Sequence, residues 1–142
     1  IDEALGRKEG MATTYGNLGN LAQTRGKLDE AETLYRQALE IDEALGRKEG
    51  MADIYGNLGV LAKERGELDE AETLYRKALG TNKALGRKEG MAINYGNLGV
   101  LAETRGELDE ARANWERARD LYSEVGMQKM VDRVQGWLNN LD

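Results

Sequence analysis

Ala-Leu-Gly-Arg-Lys-Glu-Gly-Met-Ala at 4–12 returns unchanged at 44–52 and again at 84–92. Two further strings keep the same step. Tyr-Gly-Asn-Leu-Gly stands at 15–19, 55–59 and 95–99, and Arg-Gly-x-Leu-Asp-Glu-Ala at 25–31, 65–71 and 105–111. Residues 1–40 and 41–80 align without a gap and differ at eight positions, and residues 81–120 hold the register. A fixed step of 40 residues marks a stacked array, because a single unit of this size cannot bury its apolar face alone.

Each unit carries two helical patterns. From Lys48 to Arg65, the apolar residues Met51, Tyr55, Leu58, Leu61 and Ala62 fall at helical spacing. Gly66 ends this helix, since glycine enters the left-handed conformation of a helix C-terminus at little cost. Asp69 is then expected to cap a second helix, with Glu72 completing a capping-box-like pair. Ala71, Leu74, Tyr75, Ala78 and Leu79 form its inner stripe, and Gly86 ends it. The short Gly66-Glu67-Leu68 turn forces the two helices antiparallel. Repeated along the chain, this predicts seven helices, at 8–25, 29–45, 48–65, 69–85, 88–105, 109–125 and 128–141. Glycines inside the first helix cost roughly 1 kcal/mol each against alanine, so packing should offset them. Gly19 is expected to lie close against Ala31, and Gly16 to admit a neighbouring helix or a ligand backbone. Met11, Met51 and Met91 share one phase, expected to face the core.

The 142 residues include no histidine, cysteine or proline, and the formal charge is −6. Without thiol or imidazole there is no disulfide, no zinc site of the usual kind and no triad chemistry. Strand signals are missing, so the chain reads as all-α. No apolar run is long enough for a transmembrane helix, and the acidic balance argues against nucleic acid as partner. These features suit a cytoplasmic chain with no membrane partner. Glu64 and Glu103 are the best-placed pair of carboxylates and read as solvated surface. The Gly-Arg-Lys-Glu-Gly turns lack the ending of a phosphate loop. The chain is therefore expected to be no enzyme, with no catalytic residues, cofactor or metal.

The near-identical units differ most on the first helix. Thr13/Asp53, Thr14/Ile54, Asn20/Val60, Gln23/Lys63 and Thr24/Glu64 are five of the eight changes between the first two units. Drift at exposed positions explains Lys27/Glu67 and Gln37/Lys77 just as well. Asn17, Asn57 and Asn97 are the same in all three units and share a face with the variable residues. Asparagine is a poor mid-helix residue, because its amide competes for backbone bonds. Its ability to donate and accept at once suits a peptide backbone. An inter-helix hydrogen bond is the alternative.

Tyr15-x2-Leu18-Gly19-x2-Ala22, then Ala31-x3-Tyr35, then Ala38, resembles the tetratricopeptide repeat, and the match recurs from Tyr55 and Tyr95. The usual unit has about 34 residues and a closing proline; this one is longer and has none. Ala22 replaces a large aromatic, which should leave room in the groove. Units of this longer kind resemble those of kinesin light chains, Pins/LGN-like adaptors and bacterial regulators. In those relatives an asparagine before Leu-Gly commonly bonds the main chain of an extended peptide. The resemblance implies an α-solenoid, a right-handed superhelix of antiparallel helix pairs, whose first helices line a concave groove. On that basis the candidate groove comprises Thr13, Asn17, Asn20 and Thr24 in the first unit. The second unit adds Asp53, Asn57, Val60, Lys63 and Glu64, and the third Asn97, Val100, Glu103 and Thr104. The expected function is a module that binds a protein or extended peptide. The alternative is an architectural or self-assembling segment with no ligand of its own.

The units run 6–45, 46–85 and 86–125, followed by a capping helix at 127–142. There Trp137 stands in the register of Asn97 and Asn139 in that of Gly99, and Met130, Val134, Trp137 and Leu141 are expected to close the stack. Ile1–Leu5 match Ile41–Leu45 and read as the remnant of a preceding repeat. The apolar side of the first unit, around Tyr15 and Leu18, should then be exposed. A weak homodimer about a twofold axis is expected through that end.

Overall fold

The computed structural model describes residues 3–142 and contains seven helices among them. They are α1 (Glu3–Thr24), α2 (Leu28–Leu45), α3 (Lys48–Glu64), α4 (Leu68–Leu85), α5 (Lys88–Thr104), α6 (Leu108–Glu124) and α7 (Gln128–Asn139). The chain is an all-α solenoid. Helices pair as α1 with α2, α3 with α4 and α5 with α6, the pairs stack in chain order, and α7 covers α6. The first helices of neighbouring units also touch, α1 with α3 and α3 with α5, which puts them on the tighter side of the stack.

Glycine closes each turn. Gly26, Gly46, Gly66, Gly86, Gly106 and Gly126 all have positive φ, between 68° and 79°. Beyond each, the chain bonds back onto the helix it leaves, as with Glu67 N–H to the Ala62 carbonyl at 2.9 Å. Helix starts differ from expectation. Glu67, not Asp69, is the N-cap of α4, and no side chain caps it. Asp69 sits in the first turn, where its charge suits the helix N-terminus. Its carboxylate, like that of Glu72, is held by Arg105 of the next unit, so no capping box forms. The start of α1 differs as well. Residues 3–5, expected as the tail of an earlier second helix, are its first turn, and the chain passes through Gly6 without a break. Residues 3–8 are all exposed, so no packing imposes the turn that Gly46 and Gly86 make. Ile1 and Asp2, part of the expected remnant, lie outside the described residues.

The core is built of small residues and large rings. Ala31, Ala38, Ala71, Ala78, Ala111 and Ala118 are fully buried and let the paired helices approach. Gly19 faces Tyr35 rather than Ala31: a Cβ there would lie 2.6 Å from a ring carbon. Gly59 meets Tyr75 at the same distance, and Gly99 backs onto Trp115. Gly16 faces the next unit, where Ile54 Cδ1 would touch a Cβ at 3.5 Å. Ala22 does not open the groove; Ala22, Ala62 and Ala102 are buried in the core. Met51 and Met91 pack against it while Met11 is exposed.

Gly59 and Gly80 separate packing from propensity. Helix propensity alone favours alanine at both by about 1 kcal/mol. A Cβ at Gly80 meets nothing within 4 Å, so Gly80→Ala should raise the melting temperature. At Gly59 the buried Tyr75 ring must shift, and Gly59→Ala should lower stability by about 1–3 kcal/mol. Thermal melts of the two variants check this; equal shifts would show that the ring does not depend on the glycine.

Candidate functional site

Three hollows run along the face made by the first helices. The first, about 220 Å³, lies between α1 and α3 and is bordered by Thr13, Asn17, Asn20, Asp53 and Asn57. The second, about 290 Å³, lies between α3 and α5 and is bordered by Asp53, Asn57, Val60, Ile93 and Asn97. The third, about 330 Å³, is bordered by Val100, Glu103, Trp115, Trp137 and Asn140. Nine of the thirteen residues assigned to the groove from sequence therefore line one of these hollows. Thr24, Lys63, Glu64 and Thr104 line none of them. The Thr24 hydroxyl donates to the Asn20 carbonyl and that of Thr104 to the Val100 carbonyl, both at 2.9 Å. Glu64 accepts from Gln23 Nε2 at 2.9 Å, which ties the first helices of two units together. Lys63 is half-buried.

The asparagines divide into two kinds. Asn17, Asn57 and Asn97 make no side-chain hydrogen bond among the described residues, although Asn57 and Asn97 are half-buried. Their donors and acceptors are open to the hollows. Asn20 is engaged: its Oδ1 accepts from the Tyr35 hydroxyl at 2.6 Å. Burial, with Glu64 nearby, pushes the Tyr35 pKa up to about 12, so the hydroxyl remains a donor at neutral pH.

The floor of the groove was missed from the sequence. In the first two hollows it comes from the C-terminal turns of α2 and α4. Asp42 is buried beneath the first hollow and receives Arg47 Nη1 at 2.9 Å. Asn82 is buried beneath the second, donates to Asn94 Oδ1 at 2.7 Å and accepts from Arg87 at 2.9 Å. Gly50 and Gly90 make room for these two side chains, which would crowd any Cβ there. At the third, Trp115 donates from Nε1 to the Gly96 carbonyl at 3.1 Å, and its ring lies 5.6 Å from that of Trp137. The signal was present in sequence as polar residues inside an apolar stripe, at the register that Tyr122 occupies in the third unit.

The tetratricopeptide-repeat family model matches residues 10–84, and a second model of that family matches 95–117. The chain belongs to the tetratricopeptide-repeat family. No curated protein matches it. Among solved structures it is similar to BtubC (BKLC) from P. vanneervenii, at 24% identity and a TM-score of 0.69, over 92% of this chain and 62% of that one. It is also similar to aspartyl phosphate phosphatase F from Bacillus subtilis, at 12% identity and a TM-score of 0.90, over 94% and 35% of the two chains. The N-terminal domain of stress-induced protein-1 from C. elegans matches at 18% identity and a TM-score of 0.67, over 90% and 97%. These likenesses establish the fold. The chain spans less than two thirds of the first two proteins it resembles.

Within this tetratricopeptide-repeat chain, no cluster of His, Cys, Asp or Glu among the described residues is arranged to hold a metal ion. No helix among them is long and apolar enough to cross a membrane. The electrostatically distinctive position is Asp42. Burial raises its pKa above the ordinary aspartate value, and Arg47 offsets part of the shift. The folded state thus holds the proton more tightly than the unfolded chain. That preference stabilises the fold at low pH and is lost as pH rises through the raised value. Asp42→Asn with Ile54→Asn rebuilds the Asn82–Asn94 pair one unit earlier. Its stability relative to the native chain should improve as pH rises from the ordinary aspartate value through the raised one. Denaturant titrations across that range test this; a constant difference would mean that Asp42 does not feel its burial.

Proposed function

We propose that the face lined by α1, α3 and α5 binds an extended segment of another protein. The observation that carries this reading is the row of free amides at Asn17, Asn57 and Asn97. Each can donate to a main-chain carbonyl and accept from a main-chain N–H. Asn57 borders both of the first two hollows, so one side chain could bridge adjacent residues of a bound strand. This matches the role implied by the resemblance to the longer-unit adaptors.

The hollows also differ in character, which gives the segment a direction. The first holds Asp42 and Asp53, with one arginine, Arg47. The third is floored by indoles, with Trp137 half-buried and Trp115 fastened behind it. Aromatic surfaces of this kind anchor apolar side chains at interfaces. The fitting segment therefore places a polar or basic side chain toward the first unit and an apolar one toward α7. It is held as a protein partner would be, without catalysis.

Panning a phage-displayed library of random peptides on the chain tests the proposal. Enriched peptides should share an apolar anchor. Asn57→Ala and Asn97→Ala should each weaken them by roughly 1 kcal/mol, about fivefold, as lost hydrogen bonds. The melting temperature should not fall, because these amides bond no protein group among the described residues and alanine is the better helix former. Enriched peptides indifferent to both substitutions, or a marked fall in melting temperature, would sink it.

A further inference from the structure

The stacked units repeat one socket. Between α2 and the second unit, Leu58, Leu61, Ala62, Arg65, Glu70 and Leu74 face Glu32 and Arg36. One repeat earlier, the corresponding Leu18, Leu21, Ala22, Arg25, Glu30 and Leu34 line an open trough of about 210 Å³ at the end of the first unit. Leu18 and Leu21 are 43% and 46% exposed, where Leu58 and Leu61 are 3% and 2% exposed. Arg25 and Glu30 have no side-chain partner among the described residues.

Their counterparts do. Arg65 spans the unit boundary, with Nη2 2.6 Å from Asp29 Oδ1 and Nη1 2.6 Å from Glu32 Oε1. Arg105 repeats this on Asp69 and Glu72, at 2.6 and 2.5 Å. In the opposite sense, Arg36 reaches Glu70 at 4.0 Å and Arg76 reaches Glu110 at 3.7 Å. Each seated helix thus offers an aspartate, a glutamate three residues on, and an arginine four further.

We propose that the open trough is a docking site for one amphipathic helix of the α2 type from another repeat unit, selected by Arg25 and Glu30 through its Asp-x-x-Glu-x-x-x-Arg face. The two filled copies of the socket specify both the shape and the charges of the occupant. The other end of the chain does not supply it. In α6, Arg112 stands where α2 and α4 carry glutamate, and it pairs with Asp142. Helix α7 also covers α6. A second copy therefore cannot stack tail to head on this trough. A twofold pairing of two open ends, expected from sequence, would compete with such a helix for the same trough. The leucines provide the apolar area, and the charges decide which helix is accepted.

The test uses the full chain and a helix-stapled peptide of residues 28–45, bridged at the exposed positions 33 and 37. Stapling removes the ordering cost that would mask binding by so short a helix. A peptide of residues 108–124, stapled at the equivalent positions, is the comparison. The first should bind at least about tenfold more tightly than the second. Arg25→Glu in the chain should weaken it about tenfold, and a peptide carrying Asp29→Lys and Glu32→Lys should recover the loss. Arg25 is exposed, so the variant should melt as the native chain does. Equal binding of the two peptides, or indifference to Arg25→Glu, overturns the proposal. So does a sedimenting dimer of the chain that the peptide fails to dissociate.

Discussion

An aromatic ring lying on a glycine holds each unit together. Tyr35 on Gly19, Tyr75 on Gly59 and Trp115 on Gly99 leave no space for a Cβ. The first helix can therefore come close enough for the alanines of the second to be fully buried. The glycine three positions earlier points elsewhere. Gly16, Gly56 and Gly96 face Ile54, Asn94 and Trp137 of the following unit or cap. One helix thus carries two small-residue contacts, one for its own partner and one for the next unit. Both offset the propensity that glycine costs a helix. In the third unit the larger indole is accepted because its N–H finds the Gly96 carbonyl.

This packing fixes the first helices side by side and leaves their outward residues to form a groove. What lies at the bottom of it is set by Asp42 of α2 and Asn82 of α4 at one register, and by Trp115 of α6 with Trp137 of α7 at the far end. Each polar member is buried and bonded, to Arg47 in one case and to Asn94 and Arg87 in the other. Repeats that look nearly identical from outside therefore differ in the chemistry of their floors. A buried acid, a pair of amides and a pair of indoles follow one another along the groove.

Much of the fold was legible because a fixed period, the turn glycines and the apolar stripes all agree. Six of the seven helices begin and end within a residue or two of the sequence reading. The errors share a cause. Periodicity gives the phase of a side chain and does not say which atom of the next element it meets. Ala31 and Tyr35 lie on the same stripe, and the longer ring reaches Gly19. Asp69 and Glu72 have the spacing of a capping box, yet a charged fork from the next unit outcompetes two backbone N–H groups for them. The groove was legible only in part. Asn20 and Asn17 look alike in sequence, and the Tyr35 hydroxyl claims one of them. Asp42 stands in the apolar stripe of α2, but a lone acid at the end of an amphipathic helix normally faces water, so its place in the stripe was passed over.

The arginine forks add little to stability in water, since Asp29 and Asp69 are fully exposed. Their effect on Glu32 and Glu72 is clearer. Arg36 and Arg65 hold the Glu32 carboxyl below its ordinary pKa, and Arg105 and Arg76 do the same for Glu72. A depressed pKa contributes stability above the ordinary glutamate value and loses it as pH falls through the lowered one, so the forks are intact throughout the neutral range. Apolar contact would stack any two such units, because Leu58, Leu61 and Leu74 do not distinguish one helix from another. A fork that needs two carboxylates at a fixed spacing does distinguish them. Where the sequence changes that glutamate to Arg112, the series of forks ends and a helix of different composition follows. The exposed charges are therefore best understood as setting the order of the units, on a stack whose cohesion comes from glycines, alanines and rings.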